Sequence, residues 1–221
     1  ACLAALNEQT VERERYELIV VDDGSGDATA AEAVHAGADR VLTVPHGGPA
    51  AARNAGVAAA QSEIVLFTDA DCAPAPDWIA QMLVPFTDPA VDGAKGVYRT
   101  RQRSWVARFV QLEYEDKYDR MRGRARIDFV DTYAAAYRRC VFADGGFDVA
   151  TAITSIEFAR KPEVVVREMI RCTKQSGNLF FGLLNGEAPL NKLRKKQVEG
   201  PFATMHSFTA DELRSLLAPF G

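Results

Sequence analysis

Short apolar runs that end in acidic residues alternate with alanine-rich stretches over the first third of the chain. The segments YELIVVDDGSGD (strand at 17–21), RVLTVP and EIVLFTDAD are typical of strands, whereas DATAAEAVHAG and GPAAARNAGVAAAQ are typical of helices. Asp27 and Gly37 are suited to begin and end the first of these helices. Strand–helix–strand order at this spacing predicts parallel pairing with right-handed crossovers. The expected fold is therefore α/β, a mostly parallel nucleotide-binding type of sheet flanked by helices.

Two acidic clusters, Asp22-Asp23 and Asp69-Asp71, directly follow predicted strands. Ligands of open parallel sheets bind beyond the carboxyl ends of the strands, so both clusters are expected at one rim. Two carboxylates separated by one alanine repel each other, and a divalent cation between them relieves the repulsion. Hard oxygen ligands favour magnesium or manganese. For Asp22-Asp23 the alternative is a turn that only caps the following helix.

Composition excludes several other classes of protein. A net charge of −4 argues against a nucleic-acid partner. The four cysteines and three histidines share no short spacing, which argues against a zinc site or a disulfide framework, and scattered thiols suit a cytoplasmic protein. No apolar run approaches the roughly 20 residues of a membrane-spanning helix. Because the chain begins without methionine, inside a helical pattern, a first strand is expected to be missing from it.

Residues 99–126 form a basic segment in an acidic chain, with nine basic and four acidic side chains. Trp105, Phe109, Leu112 and Tyr118 recur at helical spacing within 104–121. The simpler interpretation is a helix with a buried aromatic stripe and a solvated charged face. The alternative is a lip that contacts a phosphate-bearing acceptor or, peripherally, the inner face of a membrane.

Four segments in a fixed order carry a resemblance to a known family: ELIVVDDGSGDAT, GGPAAARNAGVAAA, EIVLFTDADCAPAPDWI and TYAAAYRRCVFADGGFD. Over about residues 1–148 the chain resembles family 2 glycosyltransferases of the GT-A (Rossmann-like) fold. The resemblance implies metal-dependent, inverting transfer of a sugar from a UDP- or GDP-linked donor to an unknown glycan or lipid-linked acceptor. It implies these roles: Asp71 for magnesium or manganese, Asp69 for metal or ribose, Asp22 and Asp23 for the base and ribose, and Arg53 for the base and phosphates.

After Phe147-Asp148 the sequence pattern changes. The family places an acidic pair, which includes its general base, about eight residues after GGFD, whereas this chain continues as VATAITSIEF. Glu157 lies nine residues after Asp148 and is the candidate general base. The alternative is that Glu157 only ends a strand.

Residues 149–221 resemble the C-terminal half of a class I S-adenosylmethionine-dependent methyltransferase. FDVATAITSIEF corresponds to a strand, PEVVVREMIRCTKQSG to a helix and turn, NLFFGLLN to a strand and FTADELRSLLAPFG to a late helix. The glycine-rich loop that would hold the cofactor is absent from the sequence, so S-adenosylmethionine is not an expected cofactor. Two domains are expected, 1–148 and 149–221. The rival functions are a degenerate nucleotide-sugar-binding protein without turnover and a methyltransferase relative that lacks its cofactor loop.

Overall fold

The computed structural model describes residues 1–124, 126–127, 130, 134–144, 147–153, 159, 161–183, 188 and 207–220. The chain forms two compact units, Ala1–Arg139 and Cys140–Gly221. The domain boundary at residue 148 stays a prediction. Glu157 lies outside the described residues.

The first unit contains five α-helices and five strands within its described residues, and the second contains three α-helices and two strands within its own. The helices are α1 (Cys2–Asn7), α2 (Thr29–His35), α3 (Pro49–Ala59), α4 (Trp78–Leu83), α5 (Trp105–Arg122), α6 (Cys140–Asp144), α7 (Pro162–Cys172) and α8 (Ala210–Leu217). The strands are β1 (Ile19–Asp22), β2 (Arg40–Thr43), β3 (Ile64–Phe67), β4 (Gly93–Lys95), β5 (Ala135–Arg138), β6 (Phe147–Ile153) and β7 (Thr173–Gly182).

The first unit combines a parallel strand pair with an antiparallel sheet. β1 and β2 pair in parallel, with Val20 opposite Val41, and α2 connects them. This α/β arrangement of helices and parallel strands confirms the expected fold class. β3 instead pairs antiparallel with β5, which lies between β3 and β4. The first unit therefore contains two sheets, a parallel one and an antiparallel one, and in the second a strand from late in the unit lies beside β3.

The ends of α2 follow the signals in its sequence. The Oδ1 atom of Asp27 accepts a hydrogen bond of 3.0 Å from the backbone N–H of Thr29, where the helix begins. Gly37 adopts a φ of +84° two residues after the helix ends. A residue without a Cβ takes this left-handed conformation without steric cost.

The core of the antiparallel sheet holds β3 in place. Met82, Phe86, Ala94 and Ala136 are buried together. Four partly buried side chains pack against them: Ile64, Leu66, Trp78 and Val91.

Arg138 ties β5 to the segment before β4. Its Nε donates to the carbonyl of Val91 at 3.0 Å, and its Nη2 donates to the carbonyl of Phe86 at 3.2 Å. Its Nη1 forms an ion pair of 2.6 Å with Glu63, the residue before β3. The guanidinium therefore fixes three chain segments around the strand that leads to Asp69.

Helix α5 starts where its sequence indicates, because the hydroxyl of Ser104 accepts from the N–H of Ala107 at 3.2 Å. Tyr118 is buried, as expected, but Trp105, Phe109 and Leu112 are exposed. The interpretation of these three as a buried stripe is therefore wrong. The inward face of the helix is formed instead by Tyr118 and by partly buried side chains such as Gln111 and Tyr114, a polar and aromatic face that apolar periodicity does not identify.

The second unit contains a strand–helix–strand arrangement. β6 and β7 pair in parallel, with Ala150 opposite Leu179, and α7 lies between them in the chain. Helix α8 begins with a capping box in which Thr209 and Glu212 each bond to the backbone of the other. The described parts thus follow a strand–helix–strand–helix order, although residues 173–177, expected in a turn, belong to β7; the methyltransferase resemblance stays a prediction. Across all described residues, no helix combines the length and apolarity needed to span a membrane.

Candidate functional site

Asp22 closes β1 and shapes the turn that follows. Its side chain is buried, and its Oδ1 accepts from the N–H of Ser25 at 3.0 Å. Gly24 has a φ of +79°, and a Cβ at this position would lie 3.1 Å from the backbone nitrogen of His46. The turn therefore brings the end of β1 close to the loop that precedes α3.

Asp23 holds that loop directly. Its Oδ1 accepts from the N–H of Gly47 at 2.7 Å, and its Oδ2 accepts from the N–H of Gly48 at 2.9 Å. The Nδ1 of His46 lies 2.9 Å from the same Oδ2. The N–H of Gly47, followed by that of Gly48 and the His46 ring, holds the pKa of Asp23 below its usual value. Both oxygens of this carboxylate are thus engaged by the loop before α3.

Helix α3 links the two acidic clusters. It packs on β1, where a Cβ on Gly56 would be in ordinary contact with Val21, 3.4 Å away. One turn into the helix, the Nη2 of Arg53 lies 3.2 Å from the Oδ1 of Asp69. The same helix is therefore held by Asp23 at its start and bonded to Asp69 along its length.

Asp69, Asp71 and Cys72 form a cluster after β3. One ligand atom from each lies within 4.8 Å of the others. The turn between them is closed by the N–H of Cys72, which donates to the carbonyl of Asp69 at 3.0 Å. Asp71 is exposed, while Asp69 and Cys72 are half-buried. Two carboxylates that converge at an accessible turn fit a hard divalent cation that keeps positions free for other oxygen ligands.

The thiol of this cluster differs from its carboxylates in charge. Burial raises the pKa of Cys72, and the charges of Asp71 and Asp69 raise it further, against a hydrogen bond from Tyr98 that lowers it. Burial likewise raises the pKa of the Tyr98 phenol, and its bond with Cys72 adds to the effect. Both groups are therefore neutral at pH 7, which leaves the two carboxylates as the charged ligands.

The structure brings together some of the expected site residues. Arg53 and Asp69 are in contact, and Asp71 adjoins them. Asp22 and Asp23 share one turn, and their connection to the other cluster runs through α3. A common rim for the two clusters stays a prediction.

Sequence reasoning missed three residues around these clusters: His46, Cys72 and Tyr98. Cys72 directly follows the Asp-Ala-Asp motif, and its position was the available signal. His46 precedes the glycines that Asp23 binds, so its adjacency to HGGPAA was a signal as well. Tyr98 lies 26 positions beyond Cys72, and no local pattern indicates their contact.

Comparison with known proteins gives one family and several partial relatives. The profile described as "Glycosyl transferase family 2" matches residues 1–146. A 77-residue stretch is 46% identical to the pre-mycofactocin glycosyltransferase of Mycobacterium tuberculosis strain H37Rv, over 34% of this chain and 16% of that protein. Glycosyltransferase AglE of Haloferax volcanii is 31% identical over 96 residues, which cover 41% of this chain and 32% of AglE.

An N-acetylglucosaminyltransferase of Rhizobium sp. strain N33 is 31% identical over 122 residues, which are 52% of this chain and 27% of the relative. The chain thus spans at most about a third of the length of these relatives. A solved structure described as a mycobacterial protein aligns with 98% of this chain and 68% of its own, at 20% identity and a TM-score of 0.48.

Proposed function

This chain belongs to glycosyl transferase family 2, and on that premise we propose that it transfers a sugar from a nucleotide-diphospho-sugar to an acceptor hydroxyl. The observation that carries the proposal is the convergence of Asp69, Asp71 and Cys72 after β3, with Arg53 bonded to Asp69. Such a cluster places negative ligands and a cationic side chain where a diphosphate and its counter-ion can be bound together. The donor is a UDP- or GDP-linked sugar, and the acceptor is a glycan or lipid-linked hydroxyl in a cytoplasmic setting.

Asp71 and Asp69 would hold a magnesium or manganese ion. When bound, this ion supplies Lewis-acid stabilisation of the diphosphate leaving group. Cys72 is protonated at neutral pH, so the carboxylates provide the charge that binds a hard cation. Asp71 makes the stronger candidate ligand, because its exposed carboxylate is not paired with Arg53.

Arg53 and the Asp22-Asp23 turn would orient the nucleotide. The guanidinium of Arg53 is partly exposed and can exchange its contact with Asp69 for a phosphate oxygen. Asp23 fixes the loop before α3, so a nucleotide bound along the turn would meet a preorganised backbone. We assign Asp22 and Asp23 to the base and ribose side of the donor.

The transfer step is proposed as a single displacement with inversion at the sugar carbon. An acceptor hydroxyl attacks the carbon as its bond to the diphosphate breaks, and a general base takes the hydroxyl proton. Glu157 is the candidate base from sequence, and it lies outside the described residues. The alternative is a protein that binds the nucleotide-sugar without turnover.

The second unit supports a separate hypothesis about ancestry. Its parallel β6–α7–β7 arrangement followed by α8 fits the methyltransferase-like order expected for 147–221. The sequence nevertheless lacks the glycine-rich cofactor loop. We therefore propose this segment as a methyltransferase-like structural element, and S-adenosylmethionine is not an expected ligand.

Calorimetric titration of UDP and then GDP, with and without manganese, tests the donor site. The proposal is supported if one nucleotide binds only with manganese, and if this binding is lost in Asp71→Ala but persists in Asp116→Ala. Asp116 is an exposed carboxylate on α5 and serves as the matched control. A folded chain that binds neither nucleotide contradicts the donor site. Nucleotide release from a bound donor sugar then separates an active transferase from a binding protein.

A further inference from the structure

The N-terminal half of α5 exposes a cluster of large apolar side chains. Trp105 is 84% exposed, and Phe109 and Leu112 are each 63% exposed. These three residues follow the i, i+4, i+7 spacing of one helix face. Val106 and Val110 are exposed beside them. Soluble surfaces seldom carry such a cluster without a binding partner.

The charges at the Trp105 end of this apolar face have a single sign, whereas Glu113 and Glu115 lie beside Leu112 at its other end. Residues 93–112 contain five basic residues and no aspartate or glutamate. Arg99, Arg101 and Arg103 are exposed and form no salt bridge with another described residue. The guanidinium of Arg108 lies 5.6 Å from the centre of the Trp105 ring. Arg99, Arg101 and Arg103, which precede the helix, and Arg108 within it make up a cationic rim at the tryptophan end of the helix.

The C-terminal half of the same helix provides a contrast. Arg120 pairs with Asp116, and Arg122 pairs with Asp119 at 3.1 Å. Charges of both signs alternate there, as on an ordinary solvated helix face. The arginines that form no salt bridge within the described part of the chain and the exposed apolar side chains thus coincide at one end of α5.

We propose that the apolar face of Trp105, Phe109 and Leu112, with its arginine rim, binds the surface of an anionic lipid bilayer. Tryptophan, phenylalanine and leucine partition into the headgroup boundary, while arginines contact anionic headgroups. A protein partner of ordinary composition requires no rim of one sign. The absence of any carboxylate over 93–112 favours a partner that is uniformly negative.

The same helix is connected to the carboxylate cluster after β3. The Nε2 of Gln111 donates to the carbonyl of Tyr98 at 3.3 Å, and the N–H of Tyr98 donates to the hydroxyl of Tyr118 at 3.3 Å. The Tyr98 side chain in turn lies beside Cys72, the neighbour of Asp71. Provided that the proposed function holds, the acceptor hydroxyl belongs to a lipid presented at that bilayer surface.

Vesicle sedimentation tests the proposal with the whole chain. Vesicles of phosphatidylcholine alone are compared with vesicles in which about one-third of the lipid is phosphatidylglycerol. We expect binding to the anionic vesicles and a blue shift of Trp105 emission, since Trp78, the other tryptophan, already packs against the core. Replacing Arg99, Arg101 and Arg103 by glutamine should weaken binding on the order of a hundredfold, at about fivefold per arginine.

Matched variants separate the apolar and charged contributions. The double variant Trp105→Ser, Phe109→Ser should weaken vesicle binding at least about tenfold. The double variant Arg120→Gln, Arg122→Gln removes two positive charges from the other half of α5 and should change binding by less than about twofold. Val34→Ser removes an exposed apolar side chain on α2 and should have no effect.

Three results would overturn the proposal: no binding to anionic vesicles by a folded chain, equal binding to both vesicle types, or a dimer in solution that dissociates in the Trp105→Ser, Phe109→Ser variant without vesicle binding. Calorimetry of nucleotide binding on the same preparation identifies which idea has failed. Nucleotide binding without vesicle binding contradicts only the membrane surface. Vesicle binding without nucleotide binding contradicts only the transferase.

Discussion

The contact between Arg53 and Asp69 leads to a prediction with opposite signs in two assays. The Nη2 of Arg53 lies 3.2 Å from a carboxylate oxygen that the proposed metal also needs. The guanidinium and the cation therefore compete for Asp69. When a nucleotide binds, the same guanidinium would gain a phosphate partner. Replacing Arg53 by glutamine should accordingly strengthen binding of the metal alone and weaken binding of the nucleotide.

The exposure of the pair determines the size of the first effect. The side chains of Arg53 and Asp69 are 30% and 45% exposed. Ion pairs at such positions contribute about 0.2–1 kcal/mol. Manganese affinity in the absence of nucleotide should therefore rise about 1.5- to 5-fold in Arg53→Gln.

The second effect is larger, because it removes a charged hydrogen bond from the complex. A bond between a guanidinium and a phosphate contributes about 1.5–3 kcal/mol. The Kd for UDP or GDP at saturating manganese should therefore increase about 10- to 150-fold. Free manganese can be followed by electron paramagnetic resonance, and the nucleotide by calorimetry.

The chain offers a closely matched control for this substitution. Arg13 and Asp39 form an ion pair with exposures of 33% and 43%, and no proposed ligand is among them. Arg13→Gln should leave both affinities unchanged. The competition between guanidinium and metal is refuted if Arg53→Gln lowers manganese affinity, or if it leaves nucleotide affinity at the level of the Arg13→Gln control.

Three further predictions concern stability. Arg138→Ala should lower the free energy of unfolding by about 2–4 kcal/mol, because three backbone or carboxylate acceptors lose a charged donor. Arg139→Ala should lower it by less than about 1 kcal/mol. Urea titration measures both values. The lowered pKa of Asp23 stabilises the fold above about pH 4, the unfolded value, and this stabilisation is lost as the pH falls through the folded pKa. Asp23→Asn should therefore flatten the acid limb of stability measured by circular dichroism, and an unchanged limb would contradict this account. Gly24→Ala should destabilise the fold by about 1–3 kcal/mol, because φ is positive there and the new Cβ would lie 3.1 Å from the backbone nitrogen of His46. Gly26 has open space around it, so Gly26→Ala should leave the thermal melt nearly unchanged.

Local sequence signals predicted the elements that carry the proposed site residues. Ile19–Asp22 and Ile64–Phe67 form strands because β-branched and aromatic residues favour extended backbone. Acidic residues mark the end of each run. Residues 49–59 form a helix because proline starts an alanine-rich stretch. Asp69 and Asp71 consequently follow the end of β3, as the sequence predicts.

The pairing of β5 could not be predicted in the same way. Ala135 and Ala136 are fully buried in a central strand, although alanine has low strand propensity. Their small side chains suit close packing, but a propensity argument does not identify them as strand residues. Periodicity on α5 likewise located a stripe at Trp105 and Phe109 without indicating that this stripe faces outward. Whether a face is covered depends on the rest of the fold.

The antiparallel pairing of β4 with β5 also affects how this protein can vary. The N–H of Gly96 donates to the carbonyl of Ala134 at 2.6 Å, so the two ends of segment 96–134 are adjacent and fixed by the sheet. A segment closed in this way can change its length or sequence without moving its ends, and each doubling of length adds only about 0.6 kcal/mol of closure entropy. The carboxylate cluster precedes this closure and depends on β3 and α3, with Tyr98 as its neighbour from the start of the segment. Evolution or design can therefore exchange the part of this segment that follows Tyr98, and with it the helix that carries Trp105, while Asp69 and Asp71 keep their positions after β3.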